Sequence, residues 1–304
     1  MTEQAELRGA QGLRLVADVY GPGDGPPALL LHGFGQTRQS WGLAASKLGE
    51  QGWRAYAVDL RGHGDSARPV AAAYANTDFA ADLLSLCHSL KTPPLVVGAS
   101  MGGVAALTAQ GASDVQLYRG LVLVDITPDV DAEGARRIIS FMAANPDGYA
   151  SLEEAAEAIG VYRGSERGKA SPRGLARVLR QGTDGRWRWH WDPRALEERK
   201  VWLTDPKAAE ARQDRMWAEM TSGVNKLAVP TMLVRGGSSD VVTREAAEAL
   251  FKLLPNARFV DVAEATHMVA GDRNDVFCAA VLEFAWPLCE QTKSPQSSIK
   301  KRLH

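Results

Sequence analysis

Apolar residues along this chain gather in short, unbroken stretches at Ala28 to Leu31, Pro94 to Val97 and Leu121 to Val124, with further strand-like stretches at Arg54 to Val58, Thr231 to Val234 and Phe259 to Val262. Such stretches predict strands covered on both faces, the condition of a parallel sheet packed between two helical layers. Helical spacing fills the intervals near Ser40 to Gln51, Asp78 to Leu90 (with an acidic first turn) and Arg244 to Leu254. At the start, Leu7 to Arg8 and Leu13 to Tyr20 flank Gly9-Ala10-Gln11-Gly12, which predicts an antiparallel hairpin ahead of the turn-rich Gly21 to Pro26. The fold class is α/β, a mostly parallel, doubly wound sheet of about eight strands. Between Ile126 and Asn225 the rhythm stops. Helical patterns at Ala132 to Ala144, Ser151 to Ile159, Pro172 to Gln181 and Pro206 to Thr221 replace it, over a length too great for a loop.

Chemistry concentrates where strands end. Gly98-Ala99-Ser100-Met101-Gly102-Gly103 follows one buried stretch and precedes the helix-like Val104 to Leu107. Small residues two before and two after the serine let a strand turn sharply into a helix and lift the hydroxyl out of the sheet, the nucleophile elbow. Ala28 to Leu31 runs into His32-Gly33-Phe34-Gly35, a strand-end loop able to lend a backbone N–H to an oxyanion. Two later strands lead into Ser238-Ser239-Asp240 and Glu264-Ala265-Thr266-His267.

Ser100, then Asp240, then His267, each just beyond a strand end, resembles the α/β-hydrolase superfamily, and the resemblance runs over nearly all of residues 10 to 287. Asp59-Leu60-Arg61-Gly62-His63-Gly64-Asp65-Ser66 and His267 to Arg273 are similar to its serine esterase, epoxide-hydrolase and non-haem haloperoxidase-like branches. The resemblance implies an α/β-hydrolase core at 1–125 and 226–290, a helical cap or lid at 126–225 and a solvated tail at 291–304. It also implies a catalytic triad of Ser100 as nucleophile, His267 as base and Asp240 as the carboxylate that orients the imidazole. Asp125 is the rival acid, because some members carry the carboxylate after the preceding strand. The oxyanion hole falls on the Phe34 and Met101 amides. Serine hydroxyl is a weak nucleophile until a neighbouring base takes its proton, which is why the three types belong together.

Members of the superfamily that open epoxides or displace halide use an aspartate at the elbow, so serine at position 100 favours cleavage of a carboxylic ester or lactone through an acyl-serine. C–C bond hydrolases, perhydrolases and acyltransferases share this triad and stay open as alternatives, as does a hydrolase-like protein that binds a ligand without turnover. In the cap, Trp187, Trp189 and Trp191 alternate with polar residues at period two. They read first as an extended strap fastening cap to core and second, together with Met268, as lining of the substrate pocket; each indole buries about 150–250 Å² in either role. Asp59, Arg61 and Asp65 read as structural charges, and His32 as support for the oxyanion loop.

Composition narrows the partners. Lys and Arg number 35 against 36 Asp and Glu, so nothing asks for nucleic acid or an anionic membrane. A small, mostly apolar molecule is the expected partner, with the chain a monomer or homodimer and no cofactor or metal. Cys87, Cys278 and Cys289 are too few and too scattered for a disulfide framework or a zinc site. The first residues lack the apolar stretch of a signal peptide, which sets a cytoplasmic expectation.

Overall fold

The predicted strands form, and their register explains the apolar stretches. In the computed structural model, which describes residues 2–163, 172–176, 178–254, 256–267, 269 and 274–293, the chain opens with β1 (Glu3–Arg8), β2 (Arg14–Tyr20) and β3 (Pro27–Leu31). It continues through α1 (Gly42–Glu50), β4 (Arg54–Asp59), α2 (Asn76–Ser89), β5 (Leu95–Ala99), α3 (Met101–Gly111) and β6 (Gly120–Val124). After the inserted segment come β9 (Thr231–Gly236), α10 (Arg244–Leu253), β10 (Ala257–Val262) and α11 (Asn274–Lys293). Eight strands make one sheet in the order β1-β2-β4-β3-β5-β6-β9-β10. β1 and β2 are antiparallel at one edge, and every pairing from β4 onward is parallel.

Alternate residues of each central strand enter opposite cores. Leu29, Leu31, Val96, Leu121, Leu123 and Leu233 face α2 and α3, whereas Ala28, Leu30, Val97, Val122, Val124 and Val234 join Trp41, Leu48 and Phe277 on the other side. Period-two side-chain alternation is present, but both faces are dry, so the sequence shows none of it. Cys87, Cys278 and Cys289 are buried thiols not joined in disulfides, and burial pushes Cys87 up to about 12.

The inserted segment holds α4 (Ala132–Ala143), α5 (Leu152–Arg163), α6 (Pro172–Leu175), the two-stranded pair β7 (Leu179–Gln181) and β8 (Trp187–Trp189), then α7 (Arg194–Glu197), α8 (Val201–Thr204) and α9 (Pro206–Lys226). One sequence expectation is corrected here. Pro172 to Gln181 is not a single helix: it stops at Leu175, and Leu179–Gln181 pairs antiparallel with Trp187–Trp189. Backbone groups of the tryptophan segment need a partner strand once they are extended and covered, and that demand overrides the local helical spacing. Tyr149 extends the pairing through mutual backbone bonds with Trp187 at 2.7 and 2.8 Å.

The inserted segment is fastened to the core near its middle and at its far end. His190 and Asp192 exchange backbone bonds with Gly64 and Gly62 at 2.8 and 2.7 Å, so the tryptophan strand is tied to the loop after β4. At the far end, Met220 and Val224 of α9 belong to the same buried cluster as α3, so the last helix of the insertion is built into the core layer. Among the described residues no helix is long and apolar enough to cross a membrane.

Candidate active site

Ser100 stands between β5 and α3 at φ 45° and ψ −113°, a left-handed backbone that a serine adopts only when its surroundings hold it there. The holding bonds are local: Ser100 N–H donates to the Val124 carbonyl at 3.0 Å, and Val104 N–H donates back to the Ser100 carbonyl at 2.9 Å. The flanking glycines are steric necessities. A Cβ on Gly98 would lie 2.7 Å from the Gly102 carbonyl oxygen, and one on Gly102 would lie 2.7 Å from the Leu31 carbonyl carbon.

Beyond β6 the chain turns again through a residue of positive φ, Asp125 at φ 50°. Asp125 N–H donates to the Val234 carbonyl at 2.7 Å, which holds the turn against β9. Its fully buried carboxylate accepts from Gly236 N–H at 2.7 Å, from the Ser239 hydroxyl at 2.5 Å and from His267 Nδ1 at 2.7 Å. Three donors offset the loss of water around this charge. With Nδ1–H given to a carboxylate, which can only accept, Nε2 of His267 is left as the basic nitrogen. Ser100 and His267 line one cavity.

The structure brings Asp125, the rival acid, and not the preferred Asp240 to the His267 ring. Asp240 also lines the cavity, but its carboxylate pairs with Arg137 of α4 and not with His267. The reason lies in the turn after β9. Ser238 N–H bonds the Ala265 carbonyl and Ser239 N–H bonds the Gly236 carbonyl, a path that delivers the Ser239 hydroxyl to Asp125 and leaves Asp240 beside α4. Ser239 is a partner of the site that sequence reasoning missed; a hydroxyl at a loop tip carries no recognisable spacing.

The loop after β3 lies against Ser100. Gly33 leaves just enough room: a Cβ there would sit 3.4 Å from Ser100 Cβ. Gly33 N–H donates to Gln36 Oε1 at 2.9 Å, and Gln36 N–H returns to the Gly33 carbonyl at 3.2 Å, closing a tight turn around Phe34. Two buried histidines brace it. His32 Nδ1 bonds the Gly33 carbonyl at 2.8 Å while its Nε2 accepts from Leu60 N–H at 3.0 Å. His63 Nδ1 bonds the Arg61 carbonyl at 2.9 Å, and its Nε2 faces Gly35 N–H at 3.5 Å. Burial lowers both imidazoles below their ordinary range, His63 strongly, so each is neutral and able to accept at Nε2. Met101, the other oxyanion candidate, is the first residue of α3, where helix N–H groups and dipole favour negative charge.

The charges around Asp59 bond one another across neighbouring loops. Arg38 bonds Asp59, Asp18 at 2.9 Å and Asp65 at 2.8 Å, and Arg61 forks onto Asp82 at 2.7 and 2.8 Å. The three tryptophans divide. Trp189 lines the cavity, Trp191 is buried with its ring 5.0 Å from that of Phe34, and Trp187 packs into a satellite cluster around Tyr149 and Leu179. Met268 lies outside the described residues. The cavity measures about 410 Å³, and Ile138, Phe141, Met142, Ile159, Leu175 and Val178 of the inserted segment give one side an apolar wall.

The sequence profile of the Alpha/beta hydrolase family matches residues 28–280. The chain is similar to an esterase of Mycobacterium tuberculosis, 28% identical over 261 residues that span 83% of this chain and 80% of the relative. It is similar also to the sn-1-specific diacylglycerol lipase of Mus musculus, 30% identical over 276 residues that span 85% and 80%. Among solved structures, that of E-2-(acetamidomethylene)succinate hydrolase matches with a TM-score of 0.75 at 22% identity, covering 93% of this chain and 99% of the other, a likeness of fold.

Proposed function

This chain belongs to the alpha/beta hydrolase family and is a hydrolase of ester bonds, and from that premise we propose that it cleaves a small or medium carboxylic ester or lactone through an acyl-serine on Ser100. The observation that carries the reading is the 2.7 Å contact of His267 Nδ1 with the buried Asp125 carboxylate, at the edge of a cavity that Ser100 also lines. Ser100 Oγ attacks the carbonyl carbon and passes its proton to His267 Nε2. Asp125 holds the imidazole in that tautomer and stabilises the imidazolium. The amides of Phe34 and Met101 receive the negative oxygen of the tetrahedral intermediate, each such donor being worth roughly 10²–10³-fold in rate. His267 then protonates the leaving alcohol, and water repeats the sequence on the acyl-enzyme.

The apolar cap wall favours an acyl group without charge. In size the cavity falls within the range of about 300–1,000 Å³ usual for small-molecule sites. The test is direct. Fluorophosphonate labelling at Ser100 and hydrolysis of p-nitrophenyl esters, both abolished in Ser100→Ala, are the expected results; a folded protein that neither labels nor hydrolyses rejects the reading.

A further inference from the structure

Arg199, between α7 and α8, is a cation where a soluble protein rarely keeps one. It is 7% exposed, and among the described residues no carboxylate pairs with it; the adjacent Glu198 pairs instead with Arg212 at 3.7 Å. Burial is the main cause that pulls its guanidinium down to about 9, with Arg212 pushing the same way, so it still carries its charge at neutral pH. A buried charge without a carboxylate partner is among the costlier arrangements in a fold, and an apolar side chain of the same length would fill the space at less cost. Stability does not account for this residue. Its neighbours do.

The guanidinium carbon stands 4.6 Å from the centroid of the Phe34 ring, and Nη2 lies 3.6 Å from Met101 Sδ. Nη1 donates to the Ala195 carbonyl at 2.5 Å, which fixes the group from the cap side. Phe34 and Met101 come from separate elements, the loop after β3 and the start of α3, yet their amides have to converge on one oxygen atom. A planar cation laid on the ring face of one and against the thioether of the other sets their spacing through both contacts.

We infer that Arg199 is a positioning residue for the oxyanion hole, a cap-borne guanidinium that holds Phe34 and Met101 in register and places a desolvated positive charge behind the two amides. This inference rests on the serine-esterase reading above. It makes assembly of the hole depend on a seated cap, since Arg199 belongs to the inserted segment and both of its partners belong to the core.

The experiment uses the full chain, with p-nitrophenyl butyrate as substrate and an alkyl trifluoromethyl ketone as probe. The ketone adds to Ser100 Oγ and leaves a negative oxygen in the hole; the matching methyl ketone, which stays largely unadded, is its ground-state control. Arg199→Met is expected to lower kcat by about 10- to 100-fold with KM within about 2-fold, less than loss of an oxyanion donor outright. It should weaken the trifluoromethyl ketone by a similar factor while sparing the methyl ketone, with a Tm equal to or above that of the wild type. Arg199→Lys, which keeps the charge but not the flat contact, should recover part of kcat. Values of kcat and trifluoromethyl ketone affinity within about 2-fold of wild type in Arg199→Met, at equal fluorophosphonate-titrated sites, overturn the inference and leave the esterase reading standing. If Arg199→Met does not fold, Arg199→Lys decides alone: a reduced kcat with weakened trifluoromethyl ketone supports the inference, and wild-type values overturn it. A wild-type protein that neither labels nor turns over ends both.

Discussion

Asp125 and His267 are 142 positions apart in the chain and 2.7 Å apart in the fold, joined through Nδ1 and Oδ2. Since that carboxylate is fully buried and already holds Gly236 N–H and the Ser239 hydroxyl, Asp125→Asn places an amide where three donors converge. The expected result is a fall in kcat of roughly 10²–10⁴-fold, in line with loss of the orienting carboxylate in serine proteases. Asp240→Asn breaks only a partly exposed pair with Arg137, and kcat should stay within about 3-fold of wild type. Steady-state kinetics on both variants, with melting curves to verify folding, decide the matter; a larger loss in Asp240→Asn would restore that residue as the acid.

Trp189 and Trp191 sit two positions apart and should fail in different ways. Trp189 lines the cavity, so Trp189→Ala is expected to shift the preferred acyl length in a p-nitrophenyl ester series toward longer chains. Trp191 is 5% exposed and packs on Phe34, so Trp191→Ala should cost about 3–5 kcal/mol of stability and lower kcat for every ester alike. Identical chain-length profiles for wild type and Trp189→Ala would remove Trp189 from the pocket.

What the sequence made legible, and what it hid, follows from where each signal resides. The sheet was readable because residues such as Leu29 and Leu30 are buried on opposite faces, which leaves an unbroken apolar stretch in the chain itself. Ser100 and His267, which line one cavity, stood out in the sequence through small-residue spacing and position after a strand. The choice between Asp125 and Asp240 did not, because both follow strand ends and both obey the same chain order. What separates them is the left-handed turn at Asp125 and the path of Gly236 to Ser239, neither of which has a compositional mark. The β7–β8 pair was hidden for a related reason: Leu179–Gln181 carries helical spacing locally and becomes a strand only because Trp187–Trp189 lies beside it. Arg199 has no motif at all, since its meaning comes entirely from Phe34 and Met101.

The elbow should tolerate no added methyl. Gly102→Ala would drive a Cβ onto the Leu31 carbonyl, and Gly98→Ala would drive one onto the Gly102 backbone, and neither neighbour can move without shifting the sheet. Each substitution is expected to cost at least about 1–3 kcal/mol, with fluorophosphonate labelling lost or greatly slowed. Wild-type labelling rates in either variant would mean that the turn is looser than its backbone angles indicate.

Stability should fall on the acid side of neutrality, and the sign follows from three imidazoles. His32 and His63 are held below the ordinary histidine value by burial, and His190 is lowered to about 4 by burial and by the nearby Arg180. In the unfolded chain each titrates near 6.5, so between that pH and the folded value the unfolded state binds more protons and gains on the native one. The stabilisation is present above about pH 6.5 and is progressively lost as the pH falls, for His190 until about 4. Tm measured from pH 7.5 to pH 4 should therefore drop steadily. His190→Gln, which cannot titrate, should show a shallower slope across that window while differing little in its pH dependence above 7. Parallel slopes for the two proteins would mean that His190 takes up its proton equally well in the folded and unfolded chain.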